Sequence, residues 1–134
     1  MTEPSPRTVA IVLDTTAVTA WVRESLAVGE LLAEINDAYG VALIPLACLV
    51  EAAHRTALLE QARLELLVAH PATMIVSDNP DEWPALAATR NLVDRADLAS
   101  AAWLAIDCGV DVMTRDARWY SSVNGGRDVL EFDD

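Results

Sequence analysis

Short apolar runs alternate with longer amphipathic segments along the whole chain. The run over 8–13 is almost continuously apolar, which is typical of a strand buried on both faces. Similar short runs predict further strands over 41–44, 73–76, 110–114 and 129–132. Helical spacing of apolar residues predicts helices between them, which include 17–24, 58–68, 78–91 and 96–108. Thr15 and Thr16 are suitable caps for the first of these helices. Strands that alternate with helices form a parallel sheet covered on both faces. The sequence therefore predicts a three-layer α/β/α sandwich with a parallel sheet of roughly five strands.

The length of the chain predicts one domain. With 134 residues, 1–134 is long enough to bury a sizeable core as a single unit. The polar, Pro-rich start predicts a flexible segment over 1–7 and lacks the features of a signal peptide. No apolar run reaches the roughly 18 residues that a membrane helix needs. Cys48 and Cys108 lie in apolar helical contexts, which predicts reduced core residues and a cytoplasmic protein.

The charge of the chain limits its possible chemistry. The formal net charge is −12, and all of the nine basic residues are arginines. Without lysine, the chain cannot be a P-loop NTPase or a Schiff-base enzyme, because both depend on a lysine amine. A nucleic-acid binder normally carries a basic patch. Arginine still recognises phosphate in a bidentate manner, so an acidic body with a local arginine rim is compatible with a phosphate ligand.

Four acids occupy positions where solvation alone does not explain an acid. Asp14 closes the strand over 8–13, and Asp116 follows the strand over 110–114. Glu51 interrupts an apolar run, and Asp97 opens an apolar helix. Ligands of parallel sheets bind beyond the carboxyl ends of the strands, so the four acids are expected to meet at that edge. A buried carboxylate needs a cationic partner, and four together predict a site for a hard divalent metal.

Each acid also has a simpler interpretation. Asp14, Asp97 and Asp116 are suitable helix caps, because each stands at the start of a helical stretch. Glu51 is placed to form a surface ion pair with Arg55 one turn later. Four such explanations together require a coincidence, and both interpretations stay open.

Three arginines flank the acidic positions. These residues are Arg95, Arg115 and Arg118. They are interpreted as solvated surface residues, as phosphate ligands, or as partners that offset repulsion among the acids.

Four segments resemble, in order, the successive motifs of the PIN domain, and the closest likeness is to the VapC-type ribonuclease toxins. They cover 9–18, 44–51, 97–102 and 112–116, so the resemblance spans nearly the whole chain. The family fold is a parallel sheet of about five strands between helices. The resemblance implies that the acids named above are the catalytic and metal-binding residues. Thr114 matches the threonine of the family's T-x-D motif, and Thr16 occupies the family's usual Ser/Thr position two residues after the first Asp. The resemblance implies that both support the site by hydrogen bonds.

The resemblance implies a hydrolase that cuts RNA phosphodiester bonds with Mg²⁺ or Mn²⁺. It further implies the toxin of a type II toxin–antitoxin pair, with a small antitoxin as partner and a homodimer of toxin subunits. The strongly acidic composition departs from the more basic groove of family members that cut RNA. The alternative is therefore a catalytically weak or inactive PIN-fold binding or regulatory module that engages a basic protein partner. An aspartyl phosphotransferase is disfavoured, because its D-x-D pair and its lysine are both missing.

Overall fold

The structure, a computed structural model, describes residues 6–134. Its five strands form one parallel sheet in the order β3-β2-β1-β4-β5. The strands are β1 (Thr8–Leu13), β2 (Gly40–Pro45), β3 (Thr73–Val76), β4 (Asp111–Thr114) and β5 (Val129–Glu131). The α-helices are α1 (Thr15–Val22), α2 (Leu26–Asp37), α3 (Leu46–Arg55), α4 (Gln61–Val68), α5 (Trp83–Val93) and α6 (Ala96–Cys108). The predicted three-layer α/β/α fold is confirmed.

Successive residues of the central strand face opposite cores. Leu13 packs in a core with Val18 of α1 and Leu67 of α4, whereas Val12 packs in a second core with Leu98 of α6. Neighbouring side chains of a strand point to opposite faces, so a continuously apolar strand must be covered on both sides. This alternation is the physical reason for the three layers.

Helix α3 connects the two cores at the edge where the strands end. It begins directly after β2 and contributes Cys48 to one core and Ala52 to the other. The prediction that Cys48 is buried is confirmed, whereas the same prediction for Cys108 is wrong. Cys108 is the last residue of α6 and lies on the exposed side of that turn, where helical periodicity directs a side chain away from the sheet.

Several element boundaries differ from the predictions. The predicted helix over 58–68 is a short 3₁₀ turn (Leu58–Glu60) followed by α4, and the predicted helix from 78 begins as a 3₁₀ turn (Pro80–Glu82) before α5. The strand over 73–76 and the helix over 96–108 have the predicted bounds. Gly109 ends α6 with a φ of 68°, a left-handed conformation that favours glycine.

The start of the chain lies only partly within the structure. Of the segment over 1–7, predicted to be flexible, residues 1–5 lie outside the described residues. Arg7 donates to Asn36 Oδ1 at 2.9 Å and to the Gly40 carbonyl at 3.0 Å, so it is tied to the start of β2. No helix within 6–134 is both long and apolar enough to cross a membrane.

Candidate functional site

Asp14 and Thr114 become neighbours because β1 and β4 pair in parallel. Leu13 is the register partner of Met113, and the Asp14 amide donates to the Met113 carbonyl at 3.3 Å. The next residue along each strand therefore emerges at the same carboxyl edge of the sheet. Both Asp14 and Thr114 are fully buried there.

The Asp14 carboxylate is held by four hydrogen bonds. Its Oδ1 accepts from the Thr16 amide at 2.9 Å, the Thr16 hydroxyl at 2.6 Å and the Ala17 amide at 3.1 Å. Its Oδ2 accepts from the Tyr120 hydroxyl at 2.7 Å. The two amide bonds cap α1, which explains why that helix begins at Thr15 instead of the predicted residue 17. Burial, and then the charge of Asp14, raises the pKa of Tyr120, so the phenol stays a donor.

Two threonine hydroxyls connect Asp14 to Asp116. The hydroxyls of Thr16 and Thr114 lie 3.4 Å apart. Thr16 Oγ1 accepts from the Arg115 amide at 2.9 Å, and Thr114 Oγ1 accepts from the Asp116 amide at 3.3 Å. The two threonines therefore form hydrogen bonds at the position where they were predicted to support the site.

Asp97 lies in the first turn of α6, and its carboxylate is also fully engaged. Its Oδ2 accepts from the Thr15 hydroxyl at 2.5 Å and from Arg95 Nη2 at 2.6 Å, while Oδ1 accepts from Arg95 Nε at 3.1 Å. The Arg95 guanidinium also stacks on the Trp119 ring, 5.3 Å from its centre. Asp97 does not cap α6 with its side chain, because it follows the first residue of that helix. It is a buried acid with its own arginine.

Glu51 and Asp97 line one open groove with a volume of about 690 Å³. Glu51 forms an ion pair with Arg55 at 2.7 Å, as its simpler interpretation predicts. Arg55 and Arg95 line the same groove, and so does Asp78, which follows β3 and accepts from the Ser100 hydroxyl at 3.0 Å. The groove therefore mixes acids with arginines in a small space.

Asp116 has a partner of its own in Arg118. Arg118 Nη2 donates to Asp116 Oδ2 at 2.8 Å, and Nε donates to Oδ1 at 2.9 Å. These bonds hold the pKa of the Asp116 carboxyl below its usual range. Asp116 Oδ1 also accepts from the Arg118 amide, so Asp116 caps the turn that follows. Arg115 instead donates to the Asp134 carbonyl at 3.0 Å.

Hydrogen bonds through Thr16 and Thr114 thus connect Asp14 to Asp116, whereas Asp97 is bonded to Thr15 beside Asp14, and Glu51 shares a groove with Asp97. Asp14, Asp97 and Asp116 all contact or follow a threonine of the edge, and Glu51 faces the groove that Asp97 lines. Among residues 6–134, no group of three or more His, Cys, Asp or Glu side chains is placed to hold one metal ion. The convergence of four acids on one ion stays a prediction.

The donor chemistry at the edge fits a hard divalent cation. Carboxylate and hydroxyl oxygens are the ligands that Mg²⁺ and Mn²⁺ prefer. Asp14 is fully buried, and among the described residues it takes part in no ion pair. Its negative charge is balanced only by hydrogen bonds, whereas the other three acids each have an arginine. Asp14 is therefore the acid with the clearest need for a cation.

Three residues of this site were missed in the sequence. Tyr120 and Thr15 donate to the acids Asp14 and Asp97 from distant parts of the chain, and Asp78 lines the groove. The sequence predicts Thr15 only as a helix cap. Asp78 follows the third strand, and its place after a parallel strand was the available signal. Nothing local distinguishes Tyr120, because its role depends on packing.

These features define a class: a parallel three-layer α/β protein with paired acids and threonines at the carboxyl edge of its sheet. No model of a known protein family matches the chain, and no curated protein matches it in sequence. The resemblance to the PIN domain therefore stays a prediction that depends on the motifs quoted above.

Proposed function

We propose that the chain is an endoribonuclease that hydrolyses RNA phosphodiester bonds with Mg²⁺ or Mn²⁺. The observation that supports this most is Asp14: a fully buried carboxylate at the carboxyl edge, beside two threonine hydroxyls and with no cationic partner among the described residues. The position also agrees with the general location of ligand sites in parallel sheets.

Asp14 and Asp116 are the proposed direct metal ligands, and Asp97 and Glu51 bind the metal directly or through water. When bound, the cation would supply an activated water and stabilise negative charge on the leaving oxygen. Thr16 holds the Asp14 carboxylate in place, and Thr114 holds the backbone that presents Asp116. Without a bound cation, the crowded carboxylates would repel one another.

The arginines of the site have two proposed partners. Arg95 and Arg118 pair with Asp97 and Asp116 in this structure. In a metal-bound site the cation would balance those carboxylates instead, and the guanidinium groups would become free to bind substrate phosphates. Arg115 is a third candidate for phosphate binding. This exchange would supply a local positive charge on a chain whose net charge is −12.

We further propose that the chain is the toxin of a toxin–antitoxin pair. A VapC-type toxin would be expected to pair with a small antitoxin that covers the groove, and to form a homodimer. This part depends on the sequence resemblance alone. A short antitoxin gene beside the gene for this chain would support it.

Metal binding is tested by thermal denaturation with Mn²⁺. We expect Mn²⁺ to raise the melting temperature of the wild type, and the double variant Asp14→Asn/Asp97→Asn to lose that response. Asp37→Asn/Asp107→Asn is the matched control, because it removes the same two negative charges at the exposed ends of α2 and α6. Equal responses in all three proteins would refute a metal site at these acids.

Cleavage is tested separately with a panel of tRNA and rRNA substrates. The wild type is expected to cut at least one of them in Mn²⁺, and neither Asp14→Asn nor the wild type in EDTA is expected to cut any. Metal binding without cleavage of any RNA would favour the second candidate function.

The second candidate is a binding or regulatory module that engages a basic partner. The observation that favours it is that each acid already has partners within the chain: three form ion pairs with arginines, and Asp14 accepts four hydrogen bonds. Such a module would use its acidic surface and would show no metal-dependent cleavage.

A further inference from the structure

Tyr120 brings one polar atom into the core, and that atom contacts Asp14. The side chain is 1% exposed and packs with Val12, Leu98 and Val112. Its hydroxyl donates to Asp14 Oδ2 at 2.7 Å. A phenylalanine would fill the same space without a buried hydroxyl, and a buried tyrosine hydroxyl needs a partner. Asp14 is the partner that the buried Tyr120 hydroxyl needs, and the Tyr120 hydroxyl in turn satisfies Oδ2 of Asp14.

The bond is not needed to orient the carboxylate. Asp14 Oδ1 already accepts from three donors, two amides and the Thr16 hydroxyl, all within 3.1 Å. Those donors belong to the first turn of α1 and move with Asp14. Oδ2 accepts from Tyr120 alone among the described residues. A carboxylate oxygen has two lone-pair sites, so the phenol occupies one of the two on Oδ2.

We propose that Tyr120 acts through Asp14 and limits how strongly this carboxylate binds a divalent cation. Its hydroxyl satisfies the buried Oδ2 when no metal is bound, and it occupies part of the coordination space that a metal would use. This inference rests on the proposed function, because it requires metal binding at Asp14.

The packing around Tyr120 keeps its hydroxyl beside Oδ2, where it competes with a metal ion for this oxygen. The ring packs between the sheet and α6, so the hydroxyl cannot leave Oδ2 without disturbing the buried side chains around it. A cation at Asp14 must therefore share Oδ2 with the phenol. Removal of the hydroxyl alone, as in Tyr120→Phe, keeps the ring and frees the oxygen.

The test compares the wild type with Tyr120→Phe by calorimetric titration with Mn²⁺ at one neutral pH, and by thermal denaturation in EDTA. We expect the variant to bind Mn²⁺ about tenfold more tightly, the change that corresponds to loss of one hydrogen bond to a charged group. In EDTA its melting temperature should fall, because Oδ2 then lacks a donor. A purely structural role would lower the melting temperature without tightening the binding of metal.

Tyr39→Phe is the control for the loss of a tyrosine hydroxyl. Tyr39 is 47% exposed, and its ring lies under the Arg7 guanidinium just before β2 begins, at the opposite edge of the sheet. It should change neither the Mn²⁺ affinity nor the melting temperature in EDTA.

A measurement on the wild type keeps the inference testable if Tyr120→Phe does not fold. The chain has two tyrosines, so labelling with 3-fluorotyrosine gives two ¹⁹F resonances. Paramagnetic Mn²⁺ should broaden the Tyr120 resonance strongly and leave the Tyr39 resonance sharp. Equal broadening of both, or none at saturating Mn²⁺, would overturn the inference.

The outcomes also separate this inference from the proposed function. Mn²⁺ binding by the wild type with no increase in affinity in Tyr120→Phe overturns the role of Tyr120 alone. Binding by the variant but not by the wild type supports it. The absence of binding in both proteins overturns the metal site and this inference together.

Discussion

The hydroxyl of Thr15 donates to Oδ2 of Asp97 at 2.5 Å, across 82 positions of the sequence. Both residues are buried, and the bond joins the first turn of α1 to the first turn of α6. It connects helices on opposite faces of the sheet at the edge where the candidate site lies. A charge-assisted bond in such a place should contribute to stability as well as to the position of the acid.

Replacement of Thr15 by valine should lower the free energy of unfolding by about 2 kcal/mol, because a hydrogen bond to a charged group contributes about that much. Urea denaturation measures the change, and Thr15→Ser should retain most of the stability. Thr19→Val is the matched control on the same helix, since the Thr19 hydroxyl is buried with no partner among the described residues. It should be neutral or stabilising, and an equal loss in both valine variants would contradict the role of the bond.

Loss of the Arg95 side chain should destabilise the protein more than loss of a comparable surface arginine. The side chains of Arg95 and Asp97 are only 20% and 10% exposed, so Arg95→Gln leaves a nearly buried carboxylate without its cation. The expected cost is about 2 kcal/mol, less than for a fully buried pair. A double-mutant cycle with Asp97→Asn measures the coupling.

Arg55→Gln provides the comparison for that cycle. The side chains of Arg55 and Glu51 are 47% and 35% exposed, and such pairs contribute less than about 1 kcal/mol. If the two glutamine variants unfold at the same urea concentration, the less exposed Arg95 pair contributes no more to stability than the Arg55 pair, which contradicts the prediction.

The stability of the chain should depend on His70 as the pH falls from neutral. His70 Nδ1 accepts from the Ala72 amide at 3.0 Å, which requires a neutral imidazole. Burial, and then the charge of Arg7, lowers the pKa of His70 from its usual value of 6.5. The unfolded chain therefore binds this proton more readily, and the stabilisation is present above pH 6.5 and is lost as the pH falls through the lower folded pKa.

Urea midpoints measured between pH 7.5 and pH 5, about one unit above and one and a half units below an ordinary histidine pKa, would follow this loss. His70→Asn retains an acceptor oxygen but does not titrate in that range. Its midpoint should change less with pH than the wild-type midpoint, and parallel curves would exclude His70 as the source.

Two glycines should respond to alanine with opposite signs. Gly109 ends α6 with a φ of 68°, so Gly109→Ala should cost about 1 kcal/mol. Gly29 lies within α2, where an added Cβ would meet no heavy atom within 4 Å. Gly29→Ala should therefore stabilise by about 1 kcal/mol. Thermal denaturation of both variants measures the difference, and the same sign in both would contradict the assigned conformations.

The strand and helix pattern could be predicted from local sequence because it depends on local periodicity. The bounds of β1, β3 and α6 agree with the prediction. The beginning of α1 was predicted less accurately, because it depends on which residue caps the helix. The Asp14 carboxylate accepts hydrogen bonds from the Thr16 and Ala17 amides, so the helix begins directly after Asp14. The Cys108 prediction failed because an apolar segment does not reveal which of its side chains faces outward.

One part of the candidate site could likewise be predicted from local sequence, and another part could not. Asp14 and Asp116 could be placed at the carboxyl edge, since each lies one or two residues after the end of a strand of a parallel sheet. The pairing of Glu51 with Arg55 is also local, one helical turn apart. The bonds from Thr15 to Asp97 and from Tyr120 to Asp14 could not be predicted, because they join residues 82 and 106 positions apart.

The sequence by itself determined the layers and the edge at which the acids lie, because alternation of apolar side chains along a strand requires a covered sheet. Only the tertiary structure decided which donor each carboxylate meets. Over long sequence separations, Asp97 is bonded to Thr15 and lies beside Arg95, whereas Asp14 is bonded to Tyr120 and has no cationic partner among the described residues. The reason is physical: a carboxylate binds whatever donor the packing places within about 3 Å, and packing over such separations depends on the whole fold.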